Sequence, residues 1–277
     1  MHSGTITLDG RKVFDRVCLT GGGVLATDKG LQLLAGVLYV EGGSGISGDP
    51  PESGATGCNQ NGEDGADLDI SARQATVFGL ISANGGRGAD PYADSCDSAS
   101  PGGAGGHITL RAYSLALTGR ISADGGSSTD AAGHTRGGSG GTITIHVAVP
   151  ALAALGGSES VAAGGPGGKK GQVSIAPLTP AEQAALPPAP PPLLATLGQA
   201  PARLAPLPVA AFARGMACGP GDLDIGAGQR RRLDGVRAYA HVCVHDGGLL
   251  RAGPRLILRA QTVLVDARAR ASAPMAW

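Results

Sequence analysis

Glu63, Asp64, Asp67 and Asp69 put four carboxylates into one eight-residue run, GEDGADLD. Hard cations such as calcium are held by clusters of carboxylate oxygens, so this run is the first candidate metal site. A second acidic stretch carries Asp90, Asp94 and Asp97, residues of the type that act as acid and base on a glycosidic bond. Arg87 and Arg120 are the cations a polysaccharide lyase would set beside a neutralising group to remove a proton. Each set has a plainer role open to it, an acidic or basic loop facing water, and no spacing distinguishes the two. Three Phe, four Tyr and one Trp offer little surface on which sugar rings could stack.

Gly85 to Ala93 has the form of the nine-residue calcium turn, with Asp90 as its acid. Such turns bind calcium only when successive copies stack, and the next nine residues, DSCDSASPG, do not match. Cys58 and Cys96 fall in loops after equivalent strands and form the candidate disulfide of an oxidising compartment. Cys18 and Cys243, flanked by Val and Leu, read as buried apolar thiols, and Cys218 is left over. His241, Cys243 and His245 form H-x-C-x-H, whose side chains would share one face of a strand. A core cysteine with two polar neighbours explains that motif as well as a metal does. GGPGGKKG lacks the spacing and the hydroxyl of a phosphate loop.

The elements that must position these groups show themselves as repeats. FGLISANGG (78–86), TGRISADGG (118–126) and, more loosely, SESVAAGG (158–165) carry one phrase. Each precedes a Gly-rich stretch and an alternating strand: GHITLRA, GTITIHV and GQVSIAP. Anchored on Ile46, Ile81, Ile121 and Val161, the units begin 35, 40 and 40 residues apart, the near-regular spacing of stacked architecture. Successive residues of a strand face opposite sides, so Ile46, Ile81, Ile108, Leu110, Ile121, Ile143, Ile145, Val173 and Ile175 form the expected core ladder. Thr109, Thr142, Thr144 and Ser174 then face outward. The doubled glycine after each ISA[ND] phrase, at 85–86 and 125–126, is expected to supply a positive φ that turns the chain out of the strand.

A longer duplication spans residues 9–40 and 234–265 at a constant offset of 225, with VC[LV]xxGG at its centre. Between the copies, PPAPPP and its neighbours exclude strand stacking and suit a semi-rigid connector. Within that connector Thr179-Pro180-Ala181-Glu182 has the form of a capping box opening a short helix to about Leu186. The expected division is residues 1–177 as one unit, 178–221 as a Pro/Ala-rich linker, and 222–277 as the start of a second unit that stops early.

The phrase G-x-I-S-A-[DN]-G-G, a loop, then G-G-x-I-T-[LI] resembles the glycine-rich right-handed parallel β-helix repeats of bacterial surface proteins, within the pectin-lyase-like class. The resemblance implies an all-β solenoid with Gly-rich loops and a Pro-rich connecting segment. It implies no activity, because that class holds lyases, hydrolases, tailspikes and adhesins alike. The expected function is a non-enzymatic extracellular or cell-surface scaffold or adhesin that associates through its ends, with a polysaccharide lyase or glycoside hydrolase as the alternative. Its expected partners are further copies of itself, other surface proteins or carbohydrate; calcium is the one cofactor candidate. The 22 basic and 22 acidic residues balance, which argues against nucleic acid. No apolar run is long enough to span a bilayer, and residues 1–20 lack the pattern of a signal peptide.

Overall fold

Isoleucine, valine and threonine alternating with polar residues, punctuated by glycine, break this chain into short parallel strands. The computed structural model describes residues 4–50, 61–88, 100–129, 135–148, 154–155, 157–188, 218, 221–226, 228–245, 247–252 and 257–266. In chain order the strands are β1 (Thr5–Thr7), β2 (Gly10–Thr20), β3 (Val24–Ala26), β4 (Leu31–Val40), β5 (Gly45–Ser47), β6 (Leu68–Val77) and β7 (Leu80–Ser82). They continue with β8 (His107–Leu117), β9 (Arg120–Ser122), β10 (Ser127–Thr129), β11 (Thr135–Gly137), β12 (Thr142–Val147), β13 (Ala154–Leu155), β14 (Ser158–Ser160) and β15 (Gln172–Pro177). A short helix α1 (Pro180–Ala185) precedes β16 (Leu223–Ile225), β17 (Arg230–Leu233), β18 (Val236–His245), β19 (Leu249–Ala252) and β20 (Ile257–Asp266).

Long and short strands alternate and build two parallel sheets. The short strands form an eight-stranded sheet in the order β14-β9-β7-β5-β3-β1-β19-β17. The long strands form a ten-stranded sheet in the order β15-β12-β8-β6-β4-β2-β20-β18-β16, with β13 paired to β8. A separate β10–β11 hairpin is antiparallel. The architecture is thus all-β and parallel.

Pairing along the long strands skips Asp15, Gly36, Arg73 and Tyr113. At these positions the burial alternation slips by one: Leu68, Ile70 and Ala72 are buried, then Ala75 and Val77. β2, β4, β6, β8, β18 and β20 therefore each have two segments, and the inward residues of both segments join those of the short sheet in one apolar cluster; β12 and β15 fill only the first segment, and β13 and β16 only the second. Burial of a whole isoleucine side chain contributes about 1.5–3 kcal/mol, so such columns dominate stability. Gly21 and Gly22, at φ 60 and 91, make the tight turn from β2 to β3, and Gly247 at φ 74 repeats it before β19.

The duplicated segments lie against one another. β18, β19 and β20 are the counterparts of β2, β3 and β4, and they stack on the N-terminal strands: β19 pairs with β1 and β20 with β2. Residues 223–266 therefore extend the same two sheets as residues 5–177, on the side away from β15. The connector joins opposite ends of the stack, a distance of about 35 Å or more at 4.8 Å per strand.

The core ladder is in register, with one shift from the sequence alignment. Ile46, Ile81 and Ile121 pair in line, but the partner of Ile121 is Glu159, not Val161. Ile46, Ile81, Ile108, Leu110, Ile121, Ile143 and Ile145 are buried. Val173 and Ile175 are not: they remain 42% and 46% exposed, because β15 is the last strand of the long sheet.

Candidate functional site

An Asp or Asn has a specific task at the corner after four of the short strands, β1, β5, β7 and β9. Asp49 accepts from the Ser82 hydroxyl at 2.7 Å and the Asn84 amide at 2.5 Å. Asn84 in turn accepts from the Ser122 hydroxyl and the Asp124 amide, at 2.6 and 2.8 Å. Asp124 repeats the pattern with the Ser160 hydroxyl and the Ala162 amide, at 2.7 and 2.6 Å. Asp9 does likewise with Thr27, Asp28 and Lys29. Each acceptor thus holds the corner of the next layer. Burial by itself would raise the Asp124 carboxyl; the Ser160, Ala162 and Ser122 donors and the Arg120 charge outweigh it and hold the group below its ordinary value. Asp9 is lowered in the same way, against its own burial, by Thr27, Lys29 and Asp28.

Beyond this corner the Gly-rich inserts form extended legs that hydrogen-bond to one another at every third residue. Gly62 and Gly65 donate to Pro101 and Ala104; Gly102 and Gly105 donate to Arg136 and Ser139. A three-residue period belongs to polyproline II geometry rather than to a strand. A second line of bonds runs from Gly86 to Glu63, Gly103 to Gly86, Gly126 to Gly103, and Gly138 to Gly126. The doubled glycines at 85–86 and 125–126 are absent from the positive-φ set, which corrects the expectation that they make turns. They are required because a Cβ there would lie closer than 3.0 Å to backbone atoms of the neighbouring leg or, at Gly86, to the Pro50 ring.

The polar groups best placed for chemistry lie on the outer face of the long sheet. Arg111 of β8 pairs with Asp69 of β6 and with Glu182 of α1, the latter at 3.2 Å. His146 of β12, in register with Arg111, places Nδ1 2.7 Å from the same Glu182 carboxylate. Glu182 also closes the expected capping box of α1 with Thr179. The Thr179 amide bond, and beyond it the Thr179 hydroxyl, Arg111 and His146, bring the Glu182 carboxyl down to about 2 despite some desolvation. A carboxyl held that low is ionised at neutral pH. Beside this group a shallow groove of about 470 Å³ runs past Gln32, Asp67, Asp69, His107 and Thr109.

The calcium candidates are dispersed among other tasks. Asp64 accepts from the Ala104 amide, Asp67 from the His107 amide, and Asp69 takes Arg111 and Gln32. Glu63 is exposed and contributes its backbone carbonyl to Gly86. Among the described residues no three His, Cys, Asp or Glu side chains are grouped to hold a metal. Arg120 is occupied with Asp124 at 3.2 Å. Asp90, Asp94, Asp97, Cys58 and Cys96 lie outside the described residues.

Cys243 is bonded to Cys218, across a sequence separation of 25, which corrects its reading as a free apolar thiol and removes it as a metal ligand. Cys18 does remain a free buried thiol, and burial raises it to about 12 against the opposing Arg16 charge.

The remaining candidate surface is the pair of ends. At one, β15 pairs with β12 on one side and with no strand on the other among the described residues, leaving Val173 and Ile175 open to solvent. At the other, β17 presents Arg230, Arg231 and Arg232, all exposed, beside β16 with its buried Leu223 and Ile225. Strand edges invite pairing with another chain, and charge on an edge strand restricts which chain that is.

No family profile, curated protein or solved structure matches this chain. The sequence does not show the tasks of the corner acceptors, the anchoring of Arg111 and His146 by Glu182, or the partner of Cys218. The [DN] of the phrase was the available signal for the first, and the capping box for the second. Cys218 has no local signal.

Proposed function

We propose that the two sheets are walls of a right-handed parallel β-helix and that the protein is a non-enzymatic scaffold or adhesin of the cell surface or extracellular space, associating through its ends. The observation that carries this reading is the open β14/β15 end, where Val173 and Ile175 interrupt a ladder that is otherwise buried. Two stacked apolar side chains left half in water favour a further layer. The polar residues support the same reading, since Asp49, Asn84, Asp124, Asp64 and Asp67 are spent on holding one layer to the next. A Cys218–Cys243 disulfide suits an oxidising compartment. No helix among the described residues is long and apolar enough to cross a membrane.

Light scattering over a wide concentration range tests the association; growth in mass with concentration supports it, and one fixed mass contradicts it. The alternative is a polysaccharide lyase or hydrolase, which the Asp69, Arg111, His146 and Glu182 set on neighbouring strands would serve. Within that set Arg111 is already paired with both Asp69 and Glu182. Release of oligosaccharides from acidic polysaccharides, lost on Arg111→Ala, would establish the alternative instead.

A further inference from the structure

The inward column of the short sheet ends in opposite charges. Ile121, Ile81, Ile46, Leu25, Ile6 and Leu250 stand in register and are buried to 1% exposure or less. Continuing that register one strand further reaches Glu159 in β14 at one end and Arg231 in β17 at the other. In every intermediate layer this position is a core aliphatic. A carboxylate and a guanidinium are tolerated there only because each is at an open end, where water reaches it.

The ends also match in phase. Along the chain the strands occupy the first segment of the long sheet, then its second segment, then the short sheet, and begin again. β15 fills the first segment at its end, so the next place to fill is the second segment. β16 fills the second segment at the opposite end, where it pairs with Leu223 on Val242 and Ile225 on Val244. Neither end is made by a chain terminus: both flank the connector between residues 177 and 223.

We propose that a second copy of this chain is the occupant of the β14/β15 end, seated head to tail, so that its β16 follows β13, its β17 covers β14 and its β18 covers β15. This rests on the β-helix reading with associating ends, and it specifies the partner and the register. Glu159 of one copy then faces Arg231 of the next inside a shared column, each neutralising a charge that the junction would otherwise bury alone. Val173 and Ile175 are covered in the same step. Two like ends do not serve: β14 on β14 sets Glu159 against Glu159, and β17 on β17 opposes two runs of three arginines. Opposite charges therefore select direction as well as contact.

The test is sedimentation velocity of the wild type, Glu159→Arg, Arg231→Glu and an equimolar mixture of the two variants. Each variant's unfolding midpoint is measured first, and both should match the wild type because the substituted side chains sit at open ends. The wild type should grow in mass with concentration. Each variant alone should associate at least about tenfold more weakly, since it places like charges in the column. Mixing should restore association, because the β14 end of the Glu159→Arg variant then meets the β17 end of the Arg231→Glu variant, and opposite charges face each other again. A mixture no better than the separate variants overturns the register while leaving end association standing. A wild type of constant mass overturns both.

Discussion

Asp124→Ala tests the corner ladder. The wild-type carboxylate receives the Ser160 hydroxyl, the Ala162 amide and the Ser122 hydroxyl, at 2.7, 2.6 and 3.0 Å. After truncation Ser122 keeps Asn84 as an acceptor. Ala162 is exposed and recovers a water, so the net loss is close to one charge-assisted bond at Ser160. Hydrogen bonds to charged groups contribute about 1.5–3 kcal/mol, which sets the expected destabilisation at about 2 kcal/mol. Asp124→Asn should cost less than about 1 kcal/mol, because Asn84 already accepts the same two kinds of donor in the layer below. Acidity separates the carboxylate from the carboxamide further. The Asp124 carboxyl is depressed in the folded state, so its contribution is complete above the unfolded value near 3.8 and is lost as pH falls through the lower folded value. Urea denaturation followed by far-UV circular dichroism at pH 7 and pH 3 should show wild type above Asp124→Asn at the first and the gap narrowed at the second. An Asp124→Ala variant within about 0.5 kcal/mol of wild type, or an Asn variant as weak as the Ala variant, refutes the ladder.

Gly103→Ala should destabilise by about 3 kcal/mol or more, since its Cβ would meet the Glu63 and Gly62 backbone; Gly167→Ala, in open space at φ +90, should cost about 1–2 kcal/mol. Thermal unfolding of the pair checks the contrast. Cys218→Ala should cost about 3–4 kcal/mol through the loop of 25 residues it releases, read from urea midpoints. In the native protein Cys18 should resist iodoacetamide at pH 8 and react after unfolding, given a buried thiol raised to about 12; peptide mass mapping distinguishes it from the other cysteines. Glu182→Gln should release α1. In the wild type the same anchor is complete above the ordinary carboxyl value of 4.5 and fails only as pH falls towards about 2, as amide exchange at residues 179–186 would show.

The strand stack was legible because side-chain alternation repeats: Ile81, Ile121, Ile108 and Ile143 are inward as their pattern requires. Val161 attracted the repeat alignment because it is apolar, while the position that truly continues the column holds Glu159. The matching Ser160 bond to Asp124 was the better guide, but it joins residues 36 apart and is invisible until the layers are stacked. A glycine pair in a sequence does not distinguish a left-handed turn from a close backbone approach; Gly85 and Gly86 are the second kind. An offset of 225 shows likeness between two segments, not adjacency, so the pairing of β20 with β2 could not be read from it. Arg111 and Glu182 meet across 71 residues for the same reason.

Electron cryomicroscopy of concentrated protein tests the central claim most directly. Eight short strands at about 4.8 Å each give a rise of about 38 Å per copy. The expected result is rods with that axial repeat, in which the strand spacing runs through the junction from β14 of one copy to β17 of the next without a break. Separate particles at every concentration, or rods whose junctions join like ends, would contradict it.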